Sequence, residues 1–544
     1  MTARRPAWLA AAAAGVALIE LTACTRSGSG PAAPAATGAP EGPVLVRGGG
    51  PDPDSLDPQK VRGAEAQGIV RDLCEGLTTL DKSAAVAPGV ASRWSVSADG
   101  KVYTFTLRPE ARWSDGDRVV GADFVAGLRR LVDPATASGY AQYADVIANS
   151  DDIVAGKKPP EALGVAAPDD STVVVTLAAP APYLPALLSH PSTCPVHRPT
   201  LSRHPESYAR PGVMVSDGAF VLKEWVQGSY VVITRNRYYW NDAATRLGAV
   251  KYLFISDENA ELARYRGGEL HVTAVVPRGQ YDWIKEHLAS ELHVSPQLTT
   301  YYYGFNLRRA PFRDQPKLRR ALSLVIDREK LATLVLRVGE LPAYGWVPPG
   351  IENYTPQSFD YRGATTEARI EEAQRLYREA GYSPKKPLAF ELAYNAGEVH
   401  TKLAVAVASM WKEALGAEVR LTQVEFKTLL QQIDRGDVEV FRSSWVGDYN
   451  DAYTFAQYLK SDFGLNLPRY RSAPYDALLT RAATEVDPGK RRALLEEAER
   501  VMLADTPLMP LYFYVNKHLV KPQVLGWYDD VMNVTYSKDL GLLR

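Results

Sequence analysis

Six consecutive residues, Trp445-Val446-Gly447-Asp448-Tyr449-Asn450, carry the most specific chemistry in this chain of 544 residues. They set a carboxylate beside a large aromatic side chain and a run of approachable backbone. A carboxylate so placed can take charge-assisted hydrogen bonds from an ammonium group while the indole keeps water away. By composition alone, Asp448 could equally cap a turn at Asp-Tyr-Asn. Catalytic patterns are missing by contrast. No His-Glu-x-x-His, Gly-x-Ser-x-Gly, Walker A loop or Gly-x-Gly-x-x-Gly occurs. Ser383-Pro384-Lys385-Lys386 has the Ser-x-x-Lys spacing of penicillin-recognising enzymes. Its Ser-Asp-Asn and Lys-Thr-Gly partners are absent, and Pro384 opposes the helix start which that motif needs. The eight His are scattered without metal-ligand spacing, so neither a metal nor a cofactor is expected. A glycosidase-type carboxylate pair needs no sequence proximity and stays open at this point.

The chain that must position these residues opens as an exported protein would. Arg4 and Arg5 precede an apolar run from Ala7 to Ile19, and Leu21-Thr22-Ala23-Cys24 follows. A basic start, a short apolar core and small residues before a cut describe a secretory signal, expected at 1–23. The Leu-Thr-Ala-Cys ending resembles a bacterial lipobox, which makes Cys24 the expected lipidation site and the anchor to a membrane. Residues 24–43 are mostly Ser, Gly, Ala and Pro, a composition that buries nothing and reads as a flexible tether. Loss of Arg4, Arg5 and Glu20 with the leader takes the formal net charge from −1 to −2. With no basic excess to hold a phosphate backbone, nucleic acid is excluded as a partner. Cys74 and Cys194 are able to pair in an oxidising compartment, free buried thiols being the commoner outcome in so large a chain.

From Val44 the composition is globular, with 46% hydrophobic residues overall, enough for a large core and more than one domain. β-Branched and aromatic runs predict strands at Val102–Leu107, Thr172–Leu177, Tyr230–Thr234 and Val250–Ile255. A helix is predicted over Thr401–Leu415, with Leu403, Val407, Met410, Trp411 and Ala414 on one face and Gly416 as its stop. Asp487-Pro488 is a helix entry, after which Leu494, Leu495, Ala498, Val501 and Met502 line one side. Mixed strands and helices at irregular spacing imply an α/β or α+β class.

A series of blocks in order resembles the extracytoplasmic peptide-binding proteins of bacterial ABC importers (solute-binding protein family 5). It begins with Pro53-Asp54-Ser55-Leu56-Asp57-Pro58 and Arg71-Asp72-Leu73-Cys74-Glu75-Gly76-Leu77. Trp113-Ser114-Asp115-Gly116, a helix at Gly121–Leu131, and Asp133-Pro134-Ala135-Thr136-Ala137-Ser138-Gly139-Tyr140 continue it. Thr300-Tyr301-Tyr302-Tyr303, Leu341-Pro342-Ala343-Tyr344, Gly447-Asp448-Tyr449-Asn450, Tyr514-Val515-Asn516 and Leu519-Val520-Lys521-Pro522 close it. The likeness is to the oligopeptide subgroup, which includes the murein-tripeptide binder. It implies an α/β, two-lobed periplasmic-binding-protein-like fold (type II, cluster C) with an extra domain inserted in one lobe. Domain I would then comprise 44–74, 200–298 and 516–544, domain II 75–199, and domain III 299–515, with hinge crossings near Thr299 and Val515.

The resemblance also implies roles. Asp448 matches the partner of the peptide ammonium, and Trp445 the aromatic wall beside it. Tyr140, Tyr302 and Tyr514 match other cleft aromatics, and the main chain near Ala64 and at Ser444–Val446 should pair with the peptide as an added strand. Arg442 and His400 match positions that meet ligand carboxylates. A third basic position falls on Leu336, beside Arg337. Arg62 and Gly304 stand where the family has acids, Phe426 where a cleft Trp is expected, and Thr299 and Val446 where the enteric relatives have paired cysteines. The implied function is a substrate-binding lipoprotein that captures short peptides and delivers them to permease transmembrane subunits served by a separate ATPase. It is expected to act as a monomer without catalysis. A dedicated receptor for a murein tripeptide, glutathione or a signalling peptide is the alternative, and a peptidase or cell-wall hydrolase the more distant one.

Overall fold

The structure is a computed structural model and describes residues 42–543. The expected leader, Cys24 and all of the tether but Gly42 and Pro43 lie outside the described residues. The chain folds as a two-lobed α/β protein around three principal sheets. The first has four strands in the order Val44–Gly48, Ala249–Leu253, Tyr230–Arg235, Phe220–Val226. The second joins Ala91–Val96, Val102–Leu107, Thr172–Thr176 and Val165–Asp169. The third has six strands, in the order Leu341–Pro342, Leu508–Leu519, Leu292–Phe305, Val440–Val446, Ala389–Asn395, Glu418–Val424. Each sheet owns a hydrophobic core: one is built around Leu45, Ile69 and Val231, another around Phe105, Leu128 and Val173, and the largest around Tyr302, Trp346 and Trp411. Among the described residues no helix is long and apolar enough to cross a membrane.

The local signals explain the elements. In Val102–Leu107 every second residue, Tyr103, Phe105 and Leu107, is buried, as the two-residue period of a one-sided sheet requires. The predicted helix at Thr401 starts earlier, at Glu398, and ends at Leu415 with Gly416 left-handed at φ 70°. Its buried face is Leu403, Ala404, Val407, Trp411 and Leu415, while Met410 and Ala414 are only partly covered. The Asp487 side chain caps the helix Pro488–Asp505 by accepting from the Lys490 amide. Ser383 and Lys386 face each other across a turn, so the Ser-x-x-Lys spacing is not at a helix start.

Two long strands, Leu292–Phe305 and Leu508–Leu519, pair along their length and connect the four-stranded first sheet's neighbourhood to the six-stranded sheet. Their register slips between Pro296 and Thr300, opposite Val515 and Phe513. Cys74 and Cys194 are joined in a disulfide with their Cα atoms 6.2 Å apart, a pairing that the sequence left open although free thiols are the commoner outcome. The pairing was hidden because 120 residues separate the two in sequence, and only the fold brings the helix Ala64–Leu73 against the turn after Pro191.

Candidate functional site

The strand Val440–Val446 is the backbone of the site. On one side it pairs antiparallel with Phe305 to Thr299 along its whole length. On the other it pairs with Ala389–Asn395 only at Val440 and Phe441. From Arg442 to Val446 that second edge has no strand partner among the described residues. Gly447 donates its amide to Leu298 at 2.7 Å, which makes Thr299 and Val446 a non-hydrogen-bonded pair. By alternation, the C=O of Arg442 and the N–H and C=O groups of Ser444 and Val446 therefore point to the open edge, while the Arg442 N–H completes the pairing with Ala389–Asn395. Such an edge is a template for an extended chain.

Asp448 lies two residues beyond this edge. Its amide faces the Thr454 hydroxyl at 3.2 Å, and its carbonyl accepts a bond from the Tyr143 hydroxyl at 2.9 Å. Tyr143 comes from the part of the chain that carries the second sheet, as does Tyr183, which stacks on Tyr449 and Tyr453 at 4.9 and 5.2 Å. This aromatic corner partly buries the Asp448 carboxyl, and burial alone pushes its pKa up from 3.8 to about 6. No cation offsets that shift. A carboxylate held in partial burial without a positive partner is primed to receive one.

At the strand's other end the charge is reversed. Arg442 is only 8% exposed and lies over the Tyr301 ring, 4.6 Å from its centroid. It donates to the Asn395 side chain at 3.0 Å and stands 3.5 Å from the Tyr514 hydroxyl. No carboxylate pairs with it, and its Nε has no partner among the described residues. Tyr301 shares its hydroxyl with His400 Nδ1 at 3.2 Å. Burial, then Arg442 and Arg278, push the His400 imidazole down to about 4, so at neutral pH it is an uncharged hydrogen-bonding group. Arg278 and Lys517 both approach Glu340, at 2.8 and 3.6 Å. Two cations thus share one buried carboxylate, beside the unpaired Arg442. Arg278, Lys517, Tyr143 and Tyr183 were not singled out from sequence, since nothing local marks them; only the fold brings them to the strand's ends.

A cavity of about 250 Å³ lies beside the strand, with Val446 and Gln297 on one wall and Glu65, Gln67, Gly68 and Arg71 on the other. Val446 is 57% exposed there. The helix that begins at Ala64 thus faces the open edge. It corrects one expectation: the main chain at Ala64 is helical, so it cannot add to a β-ladder. Gly63 provides no side-chain cap, which leaves the first amides of that helix as donors instead.

Tyr302 is a second correction. It is fully buried, bonded to the Tyr458 hydroxyl and packed edge-on against Trp346. Side chains alternate along Leu292–Phe305, so Tyr301, not Tyr302, shares the face of Arg442. The same alternation turns Trp445 away from Arg442, Ser444 and Val446. Its indole donates to the Thr454 carbonyl and lies 4.7 Å from Tyr458, partly exposed behind Asp448. Tyr140 joins the corner around Tyr143 and His190. Tyr514 is partly exposed beside Tyr512 and Arg442. Leu336 is buried and Arg337 turns away to Asp282 at 2.6 Å, so neither adds to the basic end. Arg62 is exposed and lies along Gly139, next to Tyr140. Gly304 is covered by Phe441, whose Cζ would stand 2.5 Å from an added Cβ, so an acid does not fit there. Phe426 is half exposed at the start of the helix Phe426–Arg435.

The family model for bacterial extracellular solute-binding proteins, family 5 (middle part), matches residues 85–466. This chain belongs to that family. The family 5 protein is 40% identical over 515 residues to the periplasmic oligopeptide-binding protein OppA of Escherichia coli K12, covering 94% of both chains. It is also 40% identical over 492 residues to the probable deoxycholate-binding periplasmic protein YgiS of the same organism, covering 90% of this chain and 91% of that one. Among solved structures it superposes on the unliganded open form of the periplasmic murein tripeptide-binding protein MppA with a TM-score of 0.88, at 37% identity, covering 92% of this chain and 98% of the other. Against a second structure, of the E. coli murein tripeptide-binding protein MppA, the TM-score is 0.73 at the same identity, covering 93% and 99%. Identity and coverage barely differ, so the two scores differ through shape. The family 5 protein thus superposes better on the unliganded open form than on the second structure.

Proposed function

We propose that this chain is the substrate-binding lipoprotein of an ABC importer, which captures short peptides and hands them to a permease driven by a separate ATPase. One observation carries the reading. The open edge from Arg442 to Val446 has an unpaired carboxylate beyond one end and a guanidinium without a counter-ion at the other. An extended zwitterionic peptide is the complement of that arrangement. Its backbone pairs with the edge antiparallel to the strand, its ammonium meets Asp448, and its carboxylate meets Arg442. At ~3.4 Å per residue the six steps from Arg442 to Asp448 span at most ~20 Å, which suits peptides of about three to five residues. Backbone pairing ignores side-chain identity, so affinity is broad in sequence and narrow in length.

The three cores support a division into domain I (44–74, 200–298, 516–544), domain II (75–199) and domain III (299–515). The slipped register near Pro296 and Thr300 would serve as the hinge. A peptide that touches both lobes favours the closed form by its differential affinity. The leader supports export, with Cys24 as the lipid anchor at the cell membrane, and the mature protein acts as a monomer. Capture and release call for no chemistry on the bound peptide, and the imidazole of His400 is held by Tyr301.

The test is native mass spectrometry of the tag-free mature protein, followed by acid release and sequencing of whatever comes off. A mixture of intact short peptides is expected. A single species such as a murein tripeptide would make this a dedicated receptor. Cleaved products accumulating with time would make it a hydrolase, and a bound sterol with no peptide would sink the reading.

A further inference from the structure

The loop Trp113-Ser114-Asp115-Gly116-Asp117 faces a histidine that the peptide site does not use. His197 is 3% exposed, and its Nδ1 bonds the Thr200 hydroxyl at 2.7 Å. Its Nε2 points at two carboxylates, 3.5 Å from Asp115 Oδ2 and 3.9 Å from Asp117 Oδ2. All three ligand atoms lie within 4.8 Å of one another. Those separations are long for N–H···O bonds, which centre near ~2.9 Å. They are close to the ~3.4 Å edge of a tetrahedron of N and O ligands held ~2.1 Å from a metal ion.

We propose that Asp115, Asp117 and His197 form a binding site for one divalent transition cation of the zinc class. Two hard oxygens and one imidazole nitrogen make a donor set that suits Zn²⁺ or Co²⁺ and is too small for Ca²⁺, which takes six to eight oxygens. The Thr200 hydroxyl holds the ring from behind, the outer-shell arrangement that aims a ligating imidazole. The edge of Trp113 packs on the same ring at 5.1 Å. The loop is also fixed without any ion: Asp117 donates its amide to Asp115 Oδ1 at 3.1 Å, and Ser114 and Ser216 exchange two bonds of 2.8 and 3.1 Å. The ligands are therefore pre-placed. The exposed side of the two carboxylates leaves room for water to complete the coordination. The bound ion would clamp this loop to the start of the segment at Arg198–Arg203, with no ligand shared with Asp448 or Arg442.

The site is tested on the full-length, tag-free, chelator-stripped protein by calorimetric titration with Zn²⁺, Co²⁺ and Ca²⁺ separately. One equivalent of Zn²⁺ or Co²⁺ is expected to bind and to raise the melting temperature. His197→Gln and Asp115→Asn are each expected to weaken binding at least about tenfold, the usual scale for a lost ligand or its support, with peptide affinity unchanged. Asp115 is exposed, so its variant keeps the fold and separates loss of a ligand from loss of structure. Equal binding by wild type and both variants, no saturable binding at all, or Ca²⁺ binding in preference to Zn²⁺ would each overturn the proposal and leave an imidazole ion-paired to two acids.

Discussion

Replacing Asp448 by Asn should move affinity and stability in opposite directions. In the free protein the carboxyl titrates near 6 instead of 3.8, and burial is the cause. That rise caps the cost of ionising it at about 3 kcal/mol. Its partial solvent access reduces this to ~1 kcal/mol. Because the folded state holds the proton more tightly, the penalty is absent below pH 3.8, grows up to about 6 and is complete above it. The Asn variant should therefore unfold at a slightly higher temperature than wild type at pH 7.5, by ~1 °C for a chain of this size, and at the same temperature at pH 3.5. Peptide binding should fall instead. Leaving an ammonium unpaired in a closed cleft costs about 3 kcal/mol, a loss of ~100-fold or more. An N-acetylated peptide, which has no ammonium, isolates the term. Wild type should reject it by that factor, whereas the Asn variant should bind free and acetylated peptides almost equally. For wild type, affinity should also decline as pH falls below about 6, where Asp448 takes up its proton. Calorimetry across pH 4.5–8 with both peptides reads all of this. If the Asn variant still prefers the free amine, Asp448 does not hold the ammonium and the orientation of the peptide is wrong.

Arg442→Gln should weaken peptides with a free carboxylate by ~10-fold to 1000-fold and leave C-terminally amidated peptides nearly unaffected, again by calorimetry. Thr299→Cys with Val446→Cys should oxidise on export without distorting the sheet, since the two face each other as a non-hydrogen-bonded pair with Cα atoms ~4.5 Å apart, within disulfide reach; an intact mass lower by two hydrogens, with no free thiol, checks it. Cys74→Ser with Cys194→Ser releases a loop of 120 residues and should lower stability by ~2–5 kcal/mol, seen as an earlier denaturant transition with peptide affinity kept.

Signals that are local in the chain were legible. The alternation in Val102–Leu107, the Asp487-Pro488 cap and the Gly416 stop each act within a few residues, and each appears where the sequence put it. Asp448 was singled out through family blocks, and its surroundings were not legible. Tyr143 and Tyr183 sit in an inserted segment that says nothing about Asp448 until the chain folds. Tyr302 failed for a simple reason. Three tyrosines in succession alternate between faces, and neither composition nor resemblance says which face the cleft uses. Leu336 and Arg337 show the same limit at a turn. A left-handed residue at φ 61° sends the arginine to Asp282 and away from the basic end.

On the proposed reading, the electrostatics of the site explain why it would await its ligand. Asp448 and Arg442 belong to one strand and its extension, but an extended backbone keeps them too far apart to pair with each other. Their surroundings are neutral instead: Tyr143 bonds the main-chain carbonyl of Asp448 and leaves its carboxyl unpaired, and Arg442 is held by Asn395 and the Tyr301 ring. At the basic end Glu340 already serves Arg278 and Lys517, and among the described residues no carboxylate pairs with Arg442. Both charges are thus desolvated in part without compensation, at a cost to the empty protein. Molecules that return this cost carry an ammonium and a carboxylate at the right separation, joined by something the open edge can bond. A free amino acid is too short to reach both ends, and a long chain must leave one end unsatisfied or bulge. If Asp448 and Arg442 hold the two ends as proposed, the same fold would serve peptides of any side-chain composition while measuring their length by charge.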